Sequence, residues 1–77
     1  MSENPYAQPS AITINVNGQT RTIEVGSTVA TLLRDFDIVP TYVVVQLDGV
    51  IVPRDSFDKT ELHDGSRLAI VTLVGGG

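Results

Sequence analysis

Apolar and polar residues alternate from Ala11 onward, with Ile12, Ile14 and Val16 set between Thr13, Asn15 and Asn17. A period of two puts one side of an extended segment against a core and the other in water, so this stretch predicts a β-strand. Asn17-Gly18 predicts a tight hairpin, because both central positions of a type I′ turn take positive φ. Residues 20–25 return as a second strand, with Ile23 and Val25 expected to face inward. Gly26-Ser27-Thr28 breaks that strand, and the hydroxyl of Ser27 or Thr28 is suited to cap a helix by accepting an orphan backbone N–H. Val29, Leu32, Leu33 and Phe36 then fall at the i, i+3, i+4, i+7 spacing of one helical stripe. Pro40 precludes continuation, so the helix is expected to end near Phe36 or Asp37.

Residues 42–47 are dense in β-branched side chains and predict a buried strand. Asp48-Gly49 predicts a turn, and Val50, Ile51 and Val52 a short strand stopped by Pro53. Residues 54–63 read as irregular and polar, anchored to the core by Phe57 and Leu62. After a turn at Asp64-Gly65, residues 67–74 predict the last strand, with Leu68 and Ile70 inward. The order β-β-α-β-β-β, with the last strand in a central place, predicts an α+β fold of the β-grasp (ubiquitin-like) arrangement. In it one helix packs across a mixed four- to five-stranded sheet. Three segments are expected: a disordered lead-in over 1–10, the β-grasp domain over 11–74 and a flexible glycine tail over 75–77.

Seventy-seven residues sit near the lower size limit for an independent core, which leaves little room for a deep pocket. Apolar content of 42% with 18% charged residues fits a globular chain. With no cysteine there is no disulfide, thiolate metal site or thiol nucleophile. Nine acidic against five basic residues give a net charge of −4, which disfavours nucleic acid as a partner. The absence of a long apolar run or signal pattern disfavours a membrane partner and makes a cytoplasmic location the expectation.

Side-chain chemistry is sparse. His63 is the only histidine, and although Asp64 follows it, adjacent turn residues lack the oriented second partner that a general base needs. One histidine, no cysteine and scattered acids predict no metal site. Asp35 and Asp37 read as solvated residues at the helix end. What stands out is the ending, Val74-Gly75-Gly76-Gly77. Those four residues span about 13–14 Å when extended, enough to enter another protein's active site. The Gly77 carboxylate is expected to react only after activation, and a mixed anhydride with AMP is the common route. Glycine leaves the reacting carbon uncrowded. Gly77 is therefore the candidate for covalent chemistry, with Gly75 and Gly76 as its stalk.

Several segments together resemble the ThiS-type sulfur carriers of thiamine biosynthesis. They are Asn17-Gly18, the helix start over 28–33, Val43-Val44-Val45-Gln46-Leu47-Asp48-Gly49, Ile51-Val52-Pro53-Arg54, Asp64-Gly65, Leu68-Ala69-Ile70-Val71 and the closing glycines. The resemblance covers 11–77. Two departures are the ten-residue lead-in and Phe57, which stands where the family often has tryptophan. The resemblance implies a protein co-substrate and not an enzyme, with no bound cofactor. A ThiF-like adenylyltransferase would use ATP and Mg to adenylate Gly77. A cysteine desulfurase or other persulfide donor would supply sulfur to form a thiocarboxylate, and a ThiG-like thiazole synthase would receive it. Gly76 and Gly77 match the family's functional diglycine.

Successive docking requires an exposed face. Val44, Val71 and Leu73 on the outer side of the sheet are candidate contacts, and Arg54 is a candidate partner for an acidic group. Competing readings are a carrier for another pathway (molybdopterin, cysteine or a secondary metabolite), a ubiquitin-like protein modifier, and a passive β-grasp interaction module.

Overall fold

A computed structural model describes residues 10–73. The element order is β1 (Ala11–Val16), β2 (Gln19–Glu24), α1 (Val29–Asp35), a 3₁₀ turn (Pro40–Tyr42), β3 (Val43–Leu47), β4 (Val50–Val52), a second 3₁₀ turn (Arg54–Ser56) and β5 (Arg67–Thr72). The strands form one five-stranded sheet in the order β2-β1-β5-β3-β4. β5 runs parallel to β1 and antiparallel to β3, so the sheet is mixed. This is the β-grasp arrangement, and it gives the last strand the expected central place. Residues 1–9 of the expected 1–10 lead-in, Val74, and the expected tail over 75–77 lie outside the described residues, while Ser10 is described and its carbonyl accepts the Val25 N–H at 3.1 Å.

The predicted alternation on β1 is realised, since Ile12, Ile14 and Val16 are buried. Asn17 and Gly18 both take positive φ, at 52° and 85°, as a type I′ hairpin requires. Ile12, Ile14, Val16, Val43, Val45, Leu68 and Ile70 from the sheet join Val29, Leu32 and Leu33 from α1 in a single core. Phe57 and Leu62 are buried in it, as expected. Phe36 is half-buried against its margin.

At seven residues α1 is too short to stand alone, and its start is fixed from outside. Thr28 caps it in a capping box with Thr31. The first orphan N–H groups go to the irregular segment, Val29 N–H to the Thr60 carbonyl at 3.0 Å and Ala30 N–H to the Phe57 carbonyl at 2.9 Å. The helix ends as expected at Phe36, but by a different device. Asp37 takes a left-handed conformation at φ 58°, three residues ahead of Pro40. Asp37 N–H bonds the Arg34 carbonyl and Ile38 N–H the Leu33 carbonyl, which is a Schellman ending with aspartate in place of glycine.

Two residues depart from the expected facing. Val25 lies beyond the end of β2 and is 51% exposed, because the positive-φ turn at Gly26 pulls the chain away before it can pack. Tyr42 is exposed and belongs to the 3₁₀ turn that Pro40 opens, so β3 begins one residue later.

Asn17 has a second role that the hairpin motif does not reveal. Parallel pairing of β1 with β5 runs from Gly65 N–H on the Thr13 carbonyl, through Asn15 N–H on Ser66, to Asn17 N–H on Leu68. Beyond that point β1 has turned away. The Asn17 side chain carries the ladder on, with Oδ1 accepting Ile70 N–H at 2.8 Å and Nδ2 donating to the Ile70 carbonyl at 3.2 Å. An amide here stands in for a strand neighbour.

Asn17→Gly keeps the turn conformation and removes both bonds, so it is expected to cost about 1–3 kcal/mol, the usual loss for polar groups left unpaired. Urea unfolding checks it, and an unchanged midpoint would remove the side chain's role in the ladder. Asp37→Gly, by contrast, relieves a left-handed aspartate and a negative charge at a helix C-terminus. It is expected to stabilise the fold by about 0.5–1 kcal/mol in the same measurement.

Candidate functional site

The two faces of the sheet differ sharply. The inner face is covered by α1. On the outer face, alternation from the buried positions places Val44, Gln46, Ala69, Val71 and Ile51 on the β5-β3-β4 half. Val44 lies directly across from Val71, and Gln46 lies between Ala69 and Ile51. On the β1-β2 half the outward pairs are Thr13 with Thr22 and Asn15 with Thr20. One half of this face is therefore apolar and the other is lined with threonine and asparagine.

The four residues singled out for partner contact come together at one end of the apolar half. Val71 is 57% and Leu73 50% exposed, while Val44 is half-buried between neighbouring strands. Leu73 N–H bonds the Tyr42 carbonyl at 2.6 Å, which continues the β3–β5 pairing past β5. Arg54 Nη2 donates to the Thr41 carbonyl at 3.3 Å, so the second 3₁₀ turn sits against the same start of β3. Val44, Arg54, Val71 and Leu73 thus gather where the chain leaves the sheet toward residues 74–77. Gly75, Gly76 and Gly77, the candidate stalk and reactive end, lie outside the described residues.

Sequence reasoning missed two exposed apolar side chains of this region, Ile51 (59% exposed) and Tyr42. Ile51 was legible in principle, since strand alternation around a buried Val52 turns it outward. Tyr42 was hidden by the assumption that the β-branched run begins with it. His63 and Asp64 form no acid–base pair. His63 is exposed in a turn whose N–H bonds Ser66 Oγ, and Asp64 Oδ1 accepts the Thr13 N–H at 2.8 Å. Among the described residues, no three His, Cys, Asp or Glu side chains are grouped to hold a metal ion, and no helix is long and apolar enough to cross a membrane.

One helix packed across a five-stranded mixed sheet with β5 between β1 and β3 defines a ubiquitin-like β-grasp domain, here with a partly apolar outer face. The sequence profile of the ThiS family matches residues 14–77, and the chain belongs to that family. It is similar to the ThiS thiamine biosynthesis protein of Geobacter metallireducens. The crystal structure of that protein superposes with a TM-score of 0.74 at 30% identity, covering 86% of this chain and all of that one. The solution NMR structure of the Geobacter protein gives a TM-score of 0.69 over 86% of this chain and 88% of that one. A thiazole synthase of Paramagnetospirillum magneticum is 34% identical over 62 residues, and an uncharacterised protein, ycf40, of Pyropia yezoensis is 32% identical over 68 residues. Those stretches cover 80% and 88% of this chain. The chain spans 96% of the length of the Pyropia protein but only 19% of the thiazole synthase, whose sequence therefore extends far beyond the shared segment.

The outward placement of Val71 makes it separable from the core. Val71→Asp is expected to change stability by no more than about 1 kcal/mol, as for exposed strand positions. Val45→Asp, one strand over and fully buried, is expected to prevent folding. Circular dichroism with urea titration distinguishes the two, and equal damage from both would mean that Val71 packs inward.

Proposed function

We propose that this chain is a sulfur carrier for the thiazole moiety of thiamine, acting as a protein co-substrate in the cytoplasm. The observation that carries the reading is membership of the ThiS family through residue 77. The likeness to a segment of a thiazole synthase supports that enzyme class as the receiver. A Gly77 carboxylate oxygen attacks the α-phosphorus of ATP, held with Mg by a ThiF-like adenylyltransferase, and pyrophosphate leaves. The outer sulfur of a persulfide carried by a cysteine desulfurase or other donor then displaces AMP to give an acyl disulfide. A thiol that attacks the donor's sulfur breaks the S–S bond, leaving Gly77 as a thiocarboxylate and the two thiols joined as a disulfide. Thiazole synthase takes the sulfur and returns the carboxylate.

The division of labour follows from the chain's composition. Activation and transfer are done by partners, since the chain has no cysteine and its one histidine lies in an exposed turn. Its own contribution is a docking face, Val44, Val71 and Leu73 with Arg54 at the rim, joined to the Gly75-Gly76 stalk. An exposed apolar patch of this kind gives affinity by burial, while small residues in the stalk let the terminus enter a narrow channel.

Intact mass spectrometry tests the chemistry. After incubation with ATP, Mg, the adenylyltransferase and a sulfur donor, the protein is expected to gain the mass difference of one sulfur replacing one oxygen. The gain disappears when Gly77 is removed. No gain with an adenylyltransferase active on its own carrier would overturn the reading. Adducts joined to lysines of other proteins would favour a modifier. Sulfur transfer to a synthase other than thiazole synthase would move the carrier to another pathway.

A further inference from the structure

The two edges of the sheet are not equally protected. β4 is three residues long and is stopped by Pro53, two devices that blunt an edge. β2 runs for six residues, pairs with β1 without a break in register, and contains neither proline nor lysine. Among the described residues it has no strand on its other side. In a two-residue hairpin, alternate pairs exchange both backbone bonds, beginning with the pair that flanks the turn. Here that pair is Val16 with Gln19, so Gln19, Arg21 and Ile23 are bonded inward to β1, and Val25 N–H continues the series on the Ser10 carbonyl at 3.1 Å. The N–H and C=O groups of Thr20 and Thr22 and the N–H of Glu24 therefore point outward from the sheet, while the Glu24 carbonyl accepts from Ser27 N–H at 3.2 Å and from Ser27 Oγ at 2.7 Å.

A groove of about 300 Å³ opens at Gln19 and Arg21 on this edge strand and crosses the inner side of the sheet, past Val16 of β1, to Ile70 and Thr72 of β5. Phe36, Ile38 and Ile70 give it an apolar floor, and Gln19, Arg21 and Thr72 a polar rim. Arg21 is exposed yet held in place. Its guanidinium lies 5.4 Å from the centre of the Phe36 ring, and Nη2 donates to Gln19 Oε1 at 2.9 Å. On a chain of net charge −4, this is a positioned cation above an apolar floor, next to a strand with open backbone groups.

We infer that the β2 edge takes up an extended acidic and apolar segment of a partner protein as a sixth strand. The added strand bonds the N–H and C=O groups of Thr20 and Thr22 and the N–H of Glu24, which supplies affinity without sequence preference. Specificity comes from the side turned to α1. There an aspartate or glutamate lies across from Arg21, and an apolar residue two positions away lies across from Ile23. A second copy of this chain does not meet these terms. Glu24 faces the opposite side of the sheet from Arg21, so no two-fold pairing of β2 with itself sets Arg21 against an acid. Two chains of charge −4 also repel. This surface is separate from the outer face of the sheet, so the inference stands or falls independently of the carrier reading.

The test uses the full ¹⁵N-labelled chain and a synthetic peptide repeating aspartate, threonine, isoleucine, threonine, beside a control with lysine for aspartate. The aspartate peptide is expected to shift and protect from exchange the amides of Thr20, Thr22 and Glu24, and the lysine peptide to leave them unchanged. Arg21→Glu is expected to invert the preference, weakening the aspartate peptide by about tenfold or more and admitting the lysine peptide. This swap of charge on both sides separates recognition from any loss of folding. Equal binding of both peptides, or shifts confined to the outer face, would overturn the inference. So would protection of these three amides in the free protein, whether as a monomer or as a dimer by sedimentation.

Discussion

The parallel pairing of β5 with β1 is the constraint on which the rest of the molecule depends. A parallel neighbour cannot be reached by a hairpin, so the chain must cross the sheet before β5 is laid down. That crossing is α1, which runs from one edge strand to the far half and covers the inner face on the way. The pairing itself is short, with only Asn15 opposite Arg67 and Val16 opposite Leu68 in register. Asn17 lengthens it by turning its side-chain amide onto Ile70. One residue therefore both closes the first hairpin and secures the upper part of the last strand.

This explains what could be read from the chain and what could not. The strands of the core were legible because burial on one face imposes a period of two. Asn17-Gly18 and Asp48-Gly49 were legible because positive φ at consecutive positions admits few residue types. The ending of α1 was legible only in place. Pro40 forbids helix beyond it, yet the chain turns out of the helix earlier, at Asp37, where a Schellman ending lets Ile38 reach the core. Aspartate adopts that conformation less readily than glycine, so its presence gave no signal. The Asn17 side chain was the least legible, because it owes its role to Ile70 on a strand distant in sequence, and local pattern carries no information about such a neighbour.

The candidate site divides in the same way. The outward character of Val71 follows from alternation with buried Ile70, and Val44 follows from Val45 on the neighbouring strand. Their meeting does not, since it needs the β3–β5 register that sets Val44 opposite Val71. Arg54 reaches the same place only because a 3₁₀ turn after Pro53 returns the chain to the start of β3. Strand facing and exposed apolar character marked Val44, Val71 and Leu73, and charge marked Arg54, one residue at a time. The physical reason for the grouping is the antiparallel pairing of β3 with β5.

A domain of this size has one inner face to bury and one helix to bury it with. Leaving the second face partly apolar costs solubility unless charge elsewhere offsets it, and the net charge of −4 serves that end. The arrangement also separates two kinds of recognition. The outer face offers side-chain surface and no open backbone, because β5 and β3 are paired on both sides. The β2 edge offers open backbone and little apolar side-chain surface. In the proposed reading, a partner that reads shape and burial docks on the first and one that presents an extended segment on the second, so that a single small sheet would engage two partners of different architecture without enlarging its core.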